Sequence, residues 1–417
     1  MSSVLVKEKI LDFLKFKDKE RNLLLLSQIF NAIISVVVGK LIAVYFLPEE
    51  FGAFNIQMAT YTFFFSLLLN PFLQYMKSIT NTAVFNTGYV HFSKLALSLL
   101  VSTLLLIFIT LKLYNDSSVK ILALLALVLP LHFLYSLLLD YFNVKGKILS
   151  FSKMGMLNGL SGLGFLLFAI YFFKQSGTGL FLLWTMQGFC YLGGILFFIK
   201  KYSINTKSIP FDEFKVFFKN YSIYAWPLIV LAFWSWINSY FDRYLIEYFL
   251  NLKDVGIYNA NLGLGSKVFL MLNPFFLTLL TPIAFNNEIG LKEKKQHIIK
   301  YAYAYIVVAF FILIILGFTY NFIGTLLLSK NYAEGNYVIF WTALAYFLVT
   351  FTYLFEVIFY FQKRTGIILL SNVISAITAI ALNLIFIPIF GLQGALIGLV
   401  ASGLIRFLVV WFVFKKL

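Results

Sequence analysis

The sequence predicts an all-α membrane protein of about twelve transmembrane helices, arranged as two related six-helix lobes. Three observations carry this. The 417 residues are 61% hydrophobic and 12% charged, with a mean hydropathy of +0.90. Soluble domains carry roughly 25% charged residues, and no soluble core could absorb this much apolar side chain, so lipid is the solvent. The apolar residues fall in long runs separated by short polar loops, too long and too uniform for barrel strands. The second half of the chain repeats motifs of the first.

Runs bounded by Lys, Asn, Gly and Pro place spans at 22–46, 54–75, 95–113, 119–142, 152–173, 179–199, 221–250, 257–285, 298–319, 336–361, 367–390 and 392–414. With the N-terminus in the cytoplasm, and span ends counted with their loops, 24 Lys/Arg lie on the cytoplasmic side and five opposite. That asymmetry sets both termini inside and requires an even number of spans. The organisation read from this is a basic N-terminal segment over 1–21, an N-terminal lobe over 22–200, a cytoplasmic linker over 201–220 and a C-terminal lobe over 221–417. In the first segment Val6, Ile10, Phe13 and Leu14 recur at helical spacing. It is either an interfacial helix or a basic tail. Its charges do not make a cleavable signal.

Several function classes are excluded. Cys190 is the only cysteine, and His91, His132 and His297 show no ligand spacing, so neither a disulfide framework nor a metal centre is expected. The net charge of +16 is spent in loops that orient the chain, not on nucleic acid. No Walker A sequence or soluble nucleotide-binding domain is present. The chain is not expected to be an enzyme.

Lys40 and Tyr45-Phe46-Leu47 are matched by Arg243 and Tyr248-Phe249-Leu250, an offset of 203. Phe51-Gly52-Ala53-Phe54-Asn55 is matched by Val255-Gly256-Ile257-Tyr258-Asn259, and Leu69-Asn70-Pro71-Phe72 by Leu272-Asn273-Pro274-Phe275. Tyr141-Phe142-Asn143 echoes Tyr360-Phe361-Gln362 after a longer loop. Equivalent spans are six apart, so the repeats are parallel, with a substrate path expected between the lobes. The paired Asn-Pro sequences, with Pro71 and Pro274, and Pro227 after Trp226, are candidate helix kinks and gating points, or simple packing features.

Ionisable residues inside spans are costly in hydrocarbon and face a cavity or a partner by default. Lys40 and Arg243 occupy equivalent positions. Together with Lys267 they could form a basic cradle for a phosphate or pyrophosphate, Arg243 through its planar fork and Lys40 as a point charge. Snorkelling toward the headgroups is the competing reading, and Glu247 is one turn from Arg243 as a potential partner. Asp242 points about 100° away from Arg243 and suits another contact or a coupling cation. Asp140 and Glu356 lie near cytoplasmic span ends, where interfacial solvation accounts for them; with Glu247 they are the candidates for coupling or charge pairing. Arg406 in the last span reads either way. Trp234, Asn238 and Asp242 share one helix face, which suits sugar rings or a packed helix interface equally.

The chain resembles the O-antigen (Wzx-type) polysaccharide flippases of the multidrug/oligosaccharidyl-lipid/polysaccharide (MOP) exporter superfamily. The resemblance rests on Leu47-Pro48-Glu49-Glu50-Phe51-Gly52-Ala53-Phe54, on Asp242-Arg243 with Val255-Gly256-Ile257-Tyr258-Asn259-Ala260, on Pro282, and on Asn383 through Pro388, Gly391, Gly394 and Ala395. It implies two six-helix lobes around a basic cavity in a bacterial inner membrane. The implied substrate is a polyprenyl-pyrophosphate-linked oligosaccharide, an O-antigen, capsule or exopolysaccharide repeat unit, moved from the cytoplasmic to the periplasmic leaflet. An ion gradient or the membrane potential drives alternating access, with Na+ or H+ as the candidate coupling ion and no cofactor. Expected partners are this substrate, membrane lipids and the polysaccharide polymerase and chain-length machinery. Twelve spans rather than fourteen weigh against the lipid II flippases of the superfamily. A multidrug/cation antiporter is the first alternative, though its cationic drugs would favour an acidic cavity. A membrane polysaccharide polymerase or ligase is the second, though such enzymes carry a large external loop.

Overall fold

A computed structural model describes residues 18–80, 89–113, 119–173, 211–286 and 288–417, and these are helices joined by short turns, with no strand among them. Most of the expected N-terminal segment, the span at 179–199 with Cys190, and linker residues 201–210 lie outside the described residues. In chain order the helices are α1 (Asp18–Tyr45), α2 (Pro48–Phe64), a π turn (Phe65–Leu69), α3 (Asn70–Ile79), α4 (Tyr89–Leu113), α5 (Val119–Val144) and α6 (Ile148–Phe173). There follow α7 (Phe211–Phe249), α8 (Leu252–Phe285), α9 (Leu291–Leu327), a 3-10 turn (Lys330–Gly335), α10 (Tyr337–Phe361), α11 (Thr365–Phe390) and α12 (Leu392–Lys416). Helix is the only open-chain conformation that satisfies every backbone group within one segment, as hydrocarbon demands.

Ten helical segments among the described residues are long and apolar enough to cross a membrane, the α2–α3 segment Pro48–Ile79 counting as one. The chain is a multi-pass, all-α membrane protein. The expected span at 152–173 falls within α6. Residues 211–220, within the expected linker, are the first turns of α7. At 1.5 Å per residue the 39 residues of α7 and the 37 of α9 exceed a hydrocarbon slab of about 30 Å, so both tilt or project beyond it. On α9 the large apolar side chains Tyr303, Phe310, Phe311, Phe318 and Phe322 are exposed, the surface that lipid covers.

The helices form two compact units, one of Met1–Tyr45 with Gln57–Phe233, the other of Phe46–Ile56 with Trp234–Leu417. In the first unit α1 packs on α6, and α5 on α3, α4 and α6. In the second, α10 is the central helix and packs on α8, α9 and α12. Its aromatic core includes Phe269, Phe276, Tyr305, Phe351, Phe355 and Phe414. α11 and α12 form a hairpin turned at Gly391, whose φ of 60° with ψ of −135° is open only to glycine at low cost.

The three expected kink positions behave differently. Pro71 cannot donate to an i−4 carbonyl and its ring would press on that carbonyl. The chain widens into the π turn just before it, where the Asn70 N–H bonds back five residues to the Phe65 carbonyl. Pro227 and Pro274 lie inside continuous α-helices. The repeated Asn-Pro sequence thus has two local outcomes.

Candidate functional site

The site is built in the second unit where the end of α7 meets the start of α8. A two-residue turn separates them, and Asn251 caps α8 by accepting the Asp254 N–H at 2.9 Å. This hairpin sets Tyr258 and Asn259 beside Asp242 and Arg243. Both charged residues are buried, at 9% and 7% exposure. The Arg243 Nε–H donates to Asn259 Oδ1 at 2.6 Å, and Nη1 donates to Asp242 Oδ1 at 3.2 Å and to the Ser239 carbonyl. The guanidinium carbon lies 4.6 Å from the Tyr240 ring centroid. Asp242 also accepts the Arg243 backbone N–H at 2.9 Å and the Tyr258 hydroxyl at 2.6 Å. A lone charge here would cost several kcal/mol, and the pair with its neutral donors avoids that. Arg243 Nη2 has no hydrogen-bond partner among the described residues, so one edge of the fork is unspent.

Two expectations are corrected. Asp242 does not point away from Arg243 but binds it. Glu247 is not a partner of Arg243. The arginine side chain runs back toward the helix N-terminus, as helical side chains do, and reaches Ser239, while Glu247 lies one turn the other way and is half-buried.

One turn before, Asn238 ties α7 to the α11–α12 hairpin. Its Nδ2 donates to the Asn372 carbonyl at 3.0 Å and to the Trp234 carbonyl at 3.1 Å. Its Oδ1 accepts the Ser375 hydroxyl at 3.0 Å, and that hydroxyl also lies 3.1 Å from the Ser402 carbonyl. Asn238 therefore serves the helix-interface reading of the Trp234–Asn238–Asp242 face. Trp234 is half-buried. A cavity of about 10 Å³, space for roughly one water or small ion, is lined by Asn238, Asp242, Asn383 and Ser402 among apolar neighbours. Asn383 Oδ1 is buried with no partner, and such an atom carries a penalty of about 1–3 kcal/mol until a donor or cation reaches it.

The remaining intramembrane charges divide by environment. Glu356, read as an interfacial acid, is 3% exposed and accepts from Arg406 Nε at 3.3 Å and Nη2 at 3.0 Å. Arg406 lies 5.1 Å from the Tyr353 ring centroid. Its charge is spent inside the α10–α12 interface. Asp140 on α5 pairs with Lys77 on α3 at 2.8 Å, with both side chains partly exposed. Lys40 on α1 and Lys267 on α8 are half-buried. Lys40 belongs to the first unit and Arg243 to the second. Among the described residues no cluster of His, Cys, Asp or Glu could hold a metal ion.

Tyr258, Asn259, Asn372, Ser375, Asn383 and Ser402 are the polar groups that sequence reasoning missed. Tyr258, Asn259 and Asn383 stand within motifs quoted for the repeat or the resemblance, but nothing in one sequence shows which charge they hold.

No protein-family model matches the chain, and no curated protein does. Solved structures match it over nearly its whole length. The lipid II flippase MurJ in an inward closed conformation superposes with a TM-score of 0.71 at 15% identity, covering 94% of this chain and 87% of that one. The fold is one that MurJ and the MATE transporters share. An inward-facing multidrug resistance MATE transporter of the MOP superfamily gives 0.64 at 12%, covering 93% and 94%. A MOP-superfamily transporter from Pyrococcus furiosus, described as having a binding pocket of reverse polarity, gives 0.54 at 10%, covering 95% and 92%. At these identities the likeness is one of fold. The span count weighs against the lipid II flippases, yet the fold does not separate this chain from MurJ.

Proposed function

We propose that the chain is a flippase of the MOP type that carries a polyprenyl-pyrophosphate-linked oligosaccharide from the cytoplasmic to the periplasmic leaflet of a bacterial inner membrane. The observation that carries this reading is the buried Arg243. Its guanidinium is oriented by Asp242, Asn259 and the Tyr240 ring and keeps Nη2 unpartnered among the described residues. A fixed, partly unspent guanidinium in a low-dielectric setting suits a phosphate oxygen. Lys40, at the repeat-equivalent position, and Lys267 add the positive charge that a pyrophosphate needs. The fold shared with MurJ and the MATE transporters supports a transport role over a polymerase or ligase.

The cavity beside Asp242 is the coupling site in this reading. A Na+ ion would take Asp242, Asn238, Asn383 and Ser402 oxygens; a proton would neutralise Asp242. Either weakens the hold of Asp242 on Arg243 and so links the ion to the anion-binding group. Removing the gene should cause a lipid-linked oligosaccharide to accumulate on the cytoplasmic face, and Arg243→Ala should fail to clear it. Normal surface glycan in the deletion strain would refute the reading.

A further inference from the structure

α10 sorts its aromatic side chains by face. Phe347, Phe351 and Phe355, at i, i+4 and i+8, turn into the core of the second unit, with successive ring centroids 5.5 and 5.2 Å apart. Tyr346, Tyr353 and Tyr360 recur every seven residues, which on an α-helix is one face drifting by about 20° per step. That face is the open one. From Thr350 to Phe359 every residue except Tyr353 is buried, while Tyr346 and Tyr353 are half-buried and Tyr360 is 49% exposed.

The chemistry of these three rings is unspent. Among the described residues none has a hydrogen-bond partner for its hydroxyl, and none has an aromatic neighbour. Interior tyrosines of the same unit differ. Tyr258 donates to Asp242 Oδ2 at 2.6 Å, and the Tyr305 hydroxyl lies 2.7 Å from Thr350 Oγ1. An interfacial belt accounts for tyrosine near a span end, and so for Tyr360. It does not account for Tyr346 and Tyr353, which lie roughly 12–14 Å inside the ends of α10 at 1.5 Å per residue. Toward lipid, phenylalanine would serve there and a hydroxyl would go unsatisfied. The stripe suits a partner that offers both an apolar face and hydroxyl groups.

Two arginines adjoin it. Arg406, held by Glu356, lies 5.1 Å from the Tyr353 ring centroid and supports that ring. Tyr346 is within electrostatic reach of Arg243 and Asp242 as well as of Tyr353. The stripe thus begins beside the guanidinium assigned to the pyrophosphate and runs toward the C-terminal end of α10. Its rings are spaced about 10.5 Å along the axis, near the length of a disaccharide.

We propose that Tyr346, Tyr353 and Tyr360 bind the sugars of the substrate, each ring stacking on the C–H face of a pyranose and each hydroxyl bonding to the sugar's rim, while Arg243 holds the pyrophosphate. Stacking reads a ring's face and not the order of a chain, so the stripe accepts glycans of varied sequence. The assignment rests on the lipid-linked-oligosaccharide reading and deepens it.

The test separates sugar from pyrophosphate. The full chain in detergent is titrated, by microscale thermophoresis, with polyprenyl pyrophosphate and with the same lipid carrying an oligosaccharide of hexoses and N-acetylhexosamines. The parent should bind the glycosylated lipid about tenfold more tightly. Tyr346→Leu combined with Tyr353→Leu should lose that preference yet keep the parent's affinity for the bare lipid, which a folding defect would also lower. Tyr346→Phe with Tyr353→Phe keeps the rings and should retain a preference of about threefold; it carries the test if the leucine variant is not recovered monodisperse. Tyr303→Leu, on the exposed face of α9, should match the parent. Equal affinity of the parent for the two lipids, or an undiminished preference in the variants of Tyr346 and Tyr353, would overturn the stripe and leave the pyrophosphate reading standing. A parent that binds neither lipid would overturn that reading and the stripe with it.

Discussion

Arg243 Nε donates to Asn259 Oδ1 at 2.6 Å while Asn259 Nδ2 donates back to the Val255 carbonyl at 3.0 Å. Its repeat equivalent, Asn55, makes the same i−4 bond, to the Phe51 carbonyl at 2.6 Å. The two asparagines that the motif spacing pairs thus share one local bond, which Asn261 and Asn372 also make to their own i−4 carbonyls. In the second unit the asparagine is held by its own helix with its oxygen turned to the arginine.

That relationship fixes what a conservative change should do. Arg243→Lys keeps the charge but loses the planar fork and cannot reach Asn259, Asp242 and a ligand together. Transport should fall about tenfold or more, equivalent to ~1.4 kcal/mol, while the protein remains folded. Asn259→Leu should fall similarly, since it frees the guanidinium. The check is the rate at which lipid-linked oligosaccharide leaves the outer, cytoplasmic leaflet of inside-out vesicles for the inner one.

The Glu356–Arg406 pair should dominate the stability of the second unit. Removing one partner of a buried pair leaves an uncompensated charge and costs about 3–5 kcal/mol. Glu356→Gln should lower the melting temperature in detergent sharply. Glu356→Leu with Arg406→Met should recover most of the loss, because the double change removes both charges. Equal melting temperatures for Glu356→Gln and the parent would contradict the pairing.

Lys77 and Asp140 should behave otherwise. Their side chains are 30% and 23% exposed, against 10% and 3% for Arg406 and Glu356. Solvent and headgroups screen the pair, so Lys77→Met should cost only about 0–1 kcal/mol. Thermal unfolding of the two single variants side by side would show the contrast.

The apolar runs made the helices legible because hydrocarbon leaves the backbone no alternative. Motif spacing made the repeat legible, and Arg243 stood out as an ion in oil. Partners were less visible. Asp242 and Arg243 are neighbours on a helix, where i,i+1 side chains do not normally meet, so their pairing through a reaching guanidinium had no periodic signature. Glu356 and Arg406 are 50 residues apart and meet only because α10 packs on α12. Pro71 and Pro274 share a motif but differ locally, since a π turn depends on what its neighbours allow.

Coupling can be tested apart from transport. A ligand that binds only the folded protein raises its apparent stability by mass action. Na+, or acid if the ion is H+, should raise the melting temperature of the purified protein. Asp242→Asn should abolish the shift and Asn383→Leu should weaken it. A shift unchanged in both variants would place the coupling ion elsewhere.

In the proposed function Arg243 takes up the pyrophosphate. Native mass spectrometry of the purified protein with polyprenyl pyrophosphate tests it most directly. The parent should carry a bound adduct, weakened in Lys40→Ala and Arg243→Ala and lost in the double variant, with polyprenol failing to compete. Equal binding by the parent and the double variant, or equal binding of polyprenol, would contradict it.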